Sequence, residues 1–223
     1  MLFQDLFRKY SGLKFSYAWD RSLAISGLEN RLMTTFKSSG GYGIFAVYLE
    51  RSLLWERAKG QTLVPIEYPH DRTVPSWSWM AYQGTISYLD MPSDMVNWTK
   101  EYILSFKGKM GDYDENSYEA PESKSIPSLV SKKARSLSEE GLLKGLDSIN
   151  FDLVISSCQG EKLRCIVFGK KRSKLSSEYG TIHYVLVAAP ATAGNSGHYV
   201  RVGVAALLES YINWISEERI EVV

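Results

Sequence analysis

The sequence is poor in the residues from which disulfide bridges and metal sites are built. Its 223 residues include two cysteines and three histidines. Cys158 and Cys165 flank a predicted hairpin turn at 159–162, and in that register Ser156 faces Cys165, which leaves the two cysteines in a diagonal relation roughly 7–8 Å apart. A disulfide needs a shorter Cα separation, so we expect free thiols in a reducing compartment. No second Cys pair or His pair lies at ligand spacing, and we expect no metal site.

The sequence also lacks an excess of either charge. Its 26 basic and 25 acidic residues leave a net charge of +1, so it has no basic footprint of a nucleic-acid-binding protein. No apolar run approaches the roughly 20 residues that a transmembrane helix needs, and Asp5 introduces charge too early for a signal peptide. We therefore expect a soluble, intracellular, cytoplasmic protein with neither a nucleic-acid nor a membrane partner.

The sequence does contain enough apolar residues, 44% of the chain, to form a sizeable core. In residues 1–60 these residues recur at helical spacing, which predicts three amphipathic helices in a helical segment. The helices are predicted over 1–12, from Asp20 to about Phe36, and from Ile44 to about Ala58. Their predicted inner faces include Leu23, Leu28 and Leu32 on the second helix and Val47, Tyr48, Leu54 and Trp55 on the third.

Residues 61–223 have the pattern of an antiparallel β region, because prolines interrupt any helix and β-branched and aromatic residues alternate with polar ones. Strands are predicted at 74–80, 84–89, 99–106, on both sides of the turn at 159–162, and at 181–189, 199–207 and 220–223. Residues 107–147 are rich in Gly, Ser, Glu, Lys and Pro, which predicts a flexible insertion. The predicted fold class is α+β: N-terminal helices pack on an antiparallel β-sandwich or open barrel with one long disordered insertion, in one continuous folded unit.

The most distinctive stretch is Pro75-Ser76-Trp77-Ser78-Trp79. Proline suits the first position of a strand, and residues two apart on a strand share a face, so both indoles are predicted to lie side by side. If they are buried, the rings anchor a core, each removing on the order of 150–250 Å² from water. If they are exposed, they form a ligand platform on which a sugar or a base stacks. Core packing is the commoner arrangement, and the platform of Trp77 and Trp79 is kept as the alternative.

Four stretches, taken together, carry a resemblance to a known family. They are Tyr10-Ser11 with Asp20-Arg21-Ser22-Leu23-Ala24-Ile25-Ser26-Gly27-Leu28, then Leu53-Leu54-Trp55, then Pro75-Ser76-Trp77-Ser78-Trp79 with Gly84, and finally Tyr199-Val200-Arg201-Val202-Gly203. In this order they resemble the C-terminal region of fungal heterokaryon-incompatibility (HET) domain proteins. The match spans most of the chain outside 107–147. The match does not include the HET domain itself, to which the family's TIR-like fold and role in cell death are attributed, and from the resemblance we expect this sequence to begin where that domain should end.

The resemblance implies a non-enzymatic accessory or recognition module in fungal non-self recognition and incompatibility signalling, with an unidentified protein partner and no cofactor. Two alternatives stay open. One is a small-ligand or carbohydrate-binding β-domain that uses exposed aromatic residues. The other is a truncated or decayed fragment of a HET protein with no activity of its own.

Few residues point to catalysis. Gly41-Tyr42-Gly43-Ile44-Phe45-Ala46 matches the dinucleotide-binding fingerprint, but no predicted strand precedes it, which favours a turn between helices. Gly194-Asn195-Ser196-Gly197 lacks the strand-to-helix elbow of a nucleophilic serine and is predicted to be a loop.

His183 and His198 lie on neighbouring predicted strands, so an enzyme that uses them is the last hypothesis. His70, in a proline-rich turn, is predicted to be exposed. Arg201 lies between two valines and is predicted to pair with a carboxylate across the strand or to bind an anion, with structural pairing favoured. We assign no catalytic, cofactor-binding or metal-ligating residue.

Overall fold

The structure is a computed structural model that describes residues 1–70, 72–91, 95–105, 128–140, 149–152, 163–171, 180–191 and 197–223. Helices at the N-terminal end pack on mostly antiparallel β structure, which confirms the predicted α+β fold class. The helices are α1 (Leu2–Ser11), α2 (Asp20–Ala24), α3 (Ser26–Phe36) and α4 (Leu49–Leu53). The strands are β1 (Gly40–Gly41), β2 (Ile44–Phe45), β3 (Trp55–Arg57), β4 (Val64–Pro65), β5 (Tyr82–Gln83), β6 (Ile86–Tyr88), β7 (Val96–Trp98), β8 (Tyr102–Ser105), β9 (Ser128–Ser136), β10 (Ile149–Phe151), β11 (Arg164–Lys171), β12 (Ile182–Pro190), β13 (His198–Leu208) and β14 (Glu218–Val222).

The later strands form a barrel. Antiparallel pairing joins β11 to β12, β12 to β13 and β14 to β9, and β13 runs parallel to β14 over a short stretch. The ring closes where Cys165 of β11 pairs with Arg135 of β9. Bulges interrupt three of these pairings, and because a bulge increases the local twist, it helps a sheet to curl. Strands β7, β8 and β10 extend the ring on β11, β9 and β13.

The alternation of side chains along the strands divides the apolar residues into two faces. Each strand of the ring contributes to one buried cluster, which contains Leu129, Phe168, Leu186, Val204 and Val222. We call this cluster the barrel core. The opposite face of β11, β12 and β13 carries a second cluster, covered in part by residues of β10 and of the segment before β14.

By the N-terminal unit we mean helices α1–α4 and strands β1–β6. It has a buried apolar core of its own, which we call the helical core. Phe3 and Phe7 of α1 pack there against Leu32, Phe45 and other apolar residues. Two small antiparallel strand pairs adjoin this core: β3 pairs with β6, and β4 pairs with β5.

Two of the predicted helices differ from the observed ones. α1 forms as predicted, but the second helix is broken at Ile25 into α2 and α3, which leaves Leu23 56% exposed and buries Ile25 instead. The third helix, predicted from Ile44 to Ala58, is wrong over most of its length. Its residues form β2, a helical turn, α4 and β3, because strand pairing outcompetes helix propensity at both ends of the segment, and Val47 is exposed.

The prediction of a loop throughout 107–147 is wrong for Ser128–Ser136, which is strand β9. This strand bonds β14 along one edge and β8 and β11 along the other. Its low content of large apolar side chains misled the prediction, because Ser128 and Ser131 occupy buried positions there. Residues 107–127 and 141–147 lie outside the described residues.

The predicted hairpin around the turn at 159–162 is also wrong in its register. Cys165 pairs with Val187 on one neighbouring strand and with Arg135 on the other. Neither pairing position is left for Ser156, the predicted partner of Cys165. Cys165 is a buried free thiol, and Cys158 lies outside the described residues. The strands predicted at 84–89, 99–106, 181–189, 199–207 and 220–223 correspond to β6, β8, β12, β13 and β14.

Candidate functional site

The tryptophan stretch is a turn, so the prediction of a strand at 74–80 is wrong. The Ser78 N–H donates to the Pro75 carbonyl at 2.9 Å, and a single turn of 3₁₀-helix follows at Trp79–Ala81. The Ser78 hydroxyl caps that helix by accepting a bond from the Met80 N–H at 3.0 Å. Serine and proline are the residues that favour such a cap and such a turn, and here they override the β propensity of the tryptophans.

The two indoles point into different cores and are both fully buried. Trp77 belongs to the barrel core. Trp79 belongs to the helical core, where its ring lies 5.3 Å from Phe7 and 6.1 Å from Tyr10. The prediction that both rings share one face is therefore wrong, whereas burial agrees with the core interpretation. With no exposed face, neither ring offers the platform of the alternative interpretation.

Arg201 connects the barrel to this turn. Its side chain forms a fully buried ion pair with Asp152 at 2.8 Å and donates to the carbonyl oxygens of Leu53 and Trp55. The guanidinium carbon lies 3.5 Å from the centroid of the Trp55 ring, close enough for a cation–π contact. Burial raises the pKa of Asp152, and the charge of Arg201 opposes that rise. The structural pairing predicted for Arg201 is thus the one observed.

Hydrogen bonds join these groups to the turn. The Trp55 indole N–H donates to the Trp77 carbonyl at 2.9 Å, and the Arg201 backbone N–H donates to the Ser76 hydroxyl oxygen at 3.1 Å. The Ser76 hydroxyl in turn donates to the backbone oxygen of Val223. We call this set of residues, namely Trp55, Ser76, Trp77, Trp79, Asp152 and Arg201, the tryptophan junction.

A second buried arginine holds the N-terminal unit together. Arg21 of α2 donates to the carbonyl oxygens of Ser11 at 2.7 Å, Tyr82 at 3.1 Å and Gly84 at 3.4 Å. Burial lowers its pKa. Gly84 has a φ of +134°, and a Cβ there would lie 2.6 Å from the Thr62 carbonyl oxygen, so only glycine fits. Gly27 has open space around it, and nothing in the structure explains the glycine there.

The remaining residues that carry the resemblance take structural positions. Asp20 is the first residue of α2. Tyr199 is buried in the barrel core. Gly203 is a buried residue of β13 that pairs with Val187 and Phe151.

The segment that matches the dinucleotide fingerprint is a two-residue hairpin turn between β1 and β2. Tyr42 and Gly43 both have positive φ values, +55° and +79°, as a type I′ turn requires. Two side chains hold it: the Ser78 hydroxyl donates to the Tyr42 carbonyl at 2.7 Å, and the Gly43 N–H donates to the Glu29 carboxylate at 2.5 Å. Burial raises the pKa of Glu29 to about 7. Sequence reasoning missed Glu29 and Asp152, because neither belongs to a motif.

Glycine at position 43 is required by space as well as by backbone conformation. A Cβ there would lie 2.8 Å from Cε2 of Trp79 and closer still to its Nε1. We expect Gly43→Ala to destabilise the protein by about 2–4 kcal/mol, since about 1–2 kcal/mol of left-handed strain adds to the overlap with a ring that cannot move. Urea unfolding measures this loss.

Gly60 is the matched control for Gly43. Its φ of +74° is nearly the same, but nothing lies within 4 Å of a Cβ built there. Gly60→Ala is therefore expected to cost only the backbone strain, about 1–2 kcal/mol. Equal losses for the two variants would contradict the close packing of Gly43 on Trp79.

The buried Glu29 carboxyl predicts a pH dependence of stability. Its pKa is about 7 in the folded protein, against 4.5 for a glutamate in water, so the folded state holds a proton that the unfolded state releases first. Stability therefore falls as the pH rises from about 4.5 to 7, by about 3 kcal/mol at 1.36 kcal/mol per pKa unit. We expect Glu29→Gln, which keeps an acceptor for the Gly43 N–H, to remove this slope in denaturant unfolding measured from pH 4 to pH 8. The exposed Glu67→Gln is the control and is expected to keep the slope.

The two strand histidines do not meet. His183 pairs with Leu207, whereas His198 lies one residue beyond the pair of Pro190 with Tyr199, so the two lie at opposite ends of the β12–β13 pair, roughly 26 Å apart at about 3.3 Å per residue. His183 is buried, its ring nitrogens have no hydrogen-bond partner among the residues that the structure describes, and burial lowers its pKa. His198 is exposed, and His70 is exposed as predicted.

Three further predictions concern the loop at 194–197, metal ligands and membrane-spanning helices. The loop predicted at 194–197 lies outside the described residues, except for Gly197. Among the described residues, no three His, Cys, Asp or Glu side chains come together as metal ligands. The helices of the described segments include none that is long and apolar enough to cross a membrane.

A cleft of about 390 Å³ opens beside the tryptophan junction, between the N-terminal unit and the barrel. It is lined by residues of the N-terminal unit, namely Pro65, Ile66, Val74 and Pro75, and by Val200 and Val202 of β13.

Comparisons of the chain with protein-family models, with curated proteins and with solved structures find no match.

Proposed function

We propose that the protein is a non-enzymatic accessory or recognition module of the kind found C-terminal to the HET domain in fungal incompatibility proteins. In this role it recognises or restrains a protein partner in non-self recognition. The proposal rests on the four stretches of sequence that resemble that region, and on the way in which they come together in space.

The observation that carries the proposal is that each of these stretches is hydrogen-bonded to another. Arg201, from the last stretch, bonds the carbonyls of Leu53 and Trp55, from the second. The Trp55 indole bonds the Trp77 carbonyl of the third stretch, and the Arg201 N–H bonds the Ser76 hydroxyl there.

The first stretch is tied in by Arg21. Its side chain bonds the carbonyls of Ser11, within the same stretch, and of Gly84, which belongs to the third. Residues as far apart in the chain as 11 and 201 therefore share one bonded network. Because hydrogen bonds join the four stretches, a change in one of them affects the others. This supports treating the resemblance as one pattern and not as four separate short matches.

The charged groups of this network support a structural role over a catalytic one. The Arg201 guanidinium and the Asp152 carboxylate neutralise each other in the interior, and Arg21 donates to three backbone carbonyl oxygens. A general acid or base needs access to a substrate proton, and these groups are 1% exposed or less. We infer that they hold the scaffold that presents a recognition surface.

An incompatibility assay tests the proposal. The full chain is expressed in a filamentous fungus that has a HET-type cell-death reaction, and cell death is scored when incompatible strains fuse. We expect the chain to change the frequency of cell death. The control is Val47→Ser, a change at an exposed position, which is expected to fold and to act as the wild type.

Two results would overturn this function. One is an unchanged frequency of cell death while the folded chain accumulates to the level of the HET proteins. The other is turnover in a broad hydrolase screen of the purified chain that His183→Ala or His198→Ala abolishes without unfolding the protein. The second result would favour the enzyme hypothesis.

A further inference from the structure

We propose that the cleft beside the tryptophan junction is a binding site for a neutral, apolar small molecule, of the size of a two-ring aromatic compound or a medium-length acyl chain. This inference does not depend on the proposed function. It follows from the size of the cleft, from the chemistry of its walls and from the fact that Arg201, a lining residue, is already bonded within the protein.

The size of the cleft suits a small molecule. Its volume of about 390 Å³ falls in the range of roughly 300–1,000 Å³ that is typical of ligand sites. It lies at the boundary of two packed units, which is a common position for such sites. The walls come from both units, with Ile66 and Val74 from the N-terminal unit and Val200 and Val202 from β13.

The walls are chemically uniform. Two prolines, branched aliphatic residues and Ala81 make up most of the lining, and Thr73, Ser76 and Tyr82 supply hydroxyl groups. Two of these hydroxyls already have partners: Ser76 donates to the Val223 oxygen and accepts from Arg201, and Tyr82 donates to the Ser76 carbonyl at 3.3 Å. A ligand therefore contacts mainly apolar surface, and the hydroxyls of Ser76 and Tyr82 are already hydrogen-bonded within the protein.

Arg201 is the charged residue among the lining residues, but it offers no charge to a ligand. Its guanidinium is committed to Asp152 and to two carbonyl oxygens, and its side chain is fully buried. A ligand carboxylate in this cleft would thus be desolvated without a cationic partner, which is costly. The geometry therefore selects against anionic ligands, and the apolar walls favour a neutral apolar one.

Ile66 provides the decisive variant. It lines the cleft, is half-buried, and belongs to none of the apolar clusters of the two cores. Ile66→Asp puts a carboxylate into the wall and is expected to weaken apolar binding. Val64→Asp is the matched control, because Val64 lies two residues away on β4, is 53% exposed and is not a cleft residue.

The test titrates the full chain with N-phenyl-1-naphthylamine, a neutral apolar fluorescent probe. We expect one saturable site with a micromolar Kd, unchanged in Val64→Asp and weakened about tenfold or more in Ile66→Asp, as loss of about 1.4 kcal/mol of binding energy implies. The anionic analogue 1-anilinonaphthalene-8-sulfonate is expected to bind about tenfold more weakly than the neutral probe. Thermal unfolding of both variants is measured as well, to check that they are folded.

Several results would overturn the proposal. They are the absence of saturable binding up to 100 times the protein concentration, equal binding to the wild type and to folded Ile66→Asp, and equal affinity for the neutral and anionic probes. Loss of binding on replacing Tyr17 and Leu23 by serine would place the probe at these exposed residues, on α2 and the segment before it, instead. Displacement of the probe by an extended apolar peptide, but not by a fatty alcohol, would assign the cleft to a peptide.

Discussion

Arg201→Met is expected to lower the free energy of unfolding by about 3–5 kcal/mol, the cost of removing one partner from a buried ion pair. The change leaves the Asp152 carboxylate uncompensated in the interior, where both members of the pair are fully buried. It also removes the donors that bond the carbonyls of Leu53 and Trp55 and the cation that lies against the Trp55 ring. Urea unfolding at pH 7 measures the loss.

The pH dependence of this variant tests the cause. Without Arg201, protonation relieves the buried charge of Asp152, whose pKa burial raises, so the loss is expected to shrink as the pH falls. Arg201→Met combined with Asp152→Leu is expected to recover at least half of the lost stability, because a buried pair is often replaceable by apolar side chains of similar volume.

Arg8→Met is the control for a surface pair. Arg8 and Asp5 form an ion pair at 3.2 Å with both side chains about half exposed. Such pairs contribute roughly 0–1 kcal/mol. If Arg201→Met cost no more than Arg8→Met, the tryptophan junction would not be the structural link that we describe.

Trp77→Ala and Trp79→Ala are each expected to destabilise the protein by about 3–5 kcal/mol, the usual cost of truncating a buried aromatic residue. Because the two indoles occupy different cores, the variants are expected to differ in where the protein loosens. Native-state hydrogen exchange should show faster exchange in β11 and β12 for Trp77→Ala and in α1 and β6 for Trp79→Ala.

Trp19→Ala is the control for these variants. Trp19 stacks on Tyr17 with ring centroids 5.0 Å apart, but it is 38% exposed. Its truncation is expected to cost roughly 1 kcal/mol or less, since much of its surface already contacts water. Equal costs for Trp19→Ala and Trp77→Ala, or identical exchange patterns for Trp77→Ala and Trp79→Ala, would contradict the assignment of one indole to each core.

A part of the fold was predictable because local pattern and tertiary environment agree there. α1 has apolar residues at helical spacing, and Phe3 and Phe7 of that stripe are buried in the helical core. β12 and β13 are rich in β-branched residues, and they pair as an antiparallel hairpin. In these elements the residues that stabilise the local conformation are the same ones that the core buries.

The other elements were mispredicted where nonlocal pairing decides. β9 has few large apolar side chains, but it bonds strands on both edges and its buried positions hold serines. The third predicted helix contains good helix formers, but Trp55 pairs with Tyr88 across 33 positions of the chain. Neither pairing leaves a signal in a window of a few residues.

From its residue types, the sequence favours an α+β fold, the burial of Trp77 and Trp79, and a structural partner for Arg201. Burial and charge compensation follow from residue type, because large aromatic rings avoid water and an arginine between valines needs a counter-charge. The tertiary structure alone decided that the tryptophan stretch is a turn, that its rings enter two cores, and that the partner is Asp152. These outcomes depend on contacts between residues far apart in the chain, such as Arg201 with Ser76 and Trp55 with Trp77.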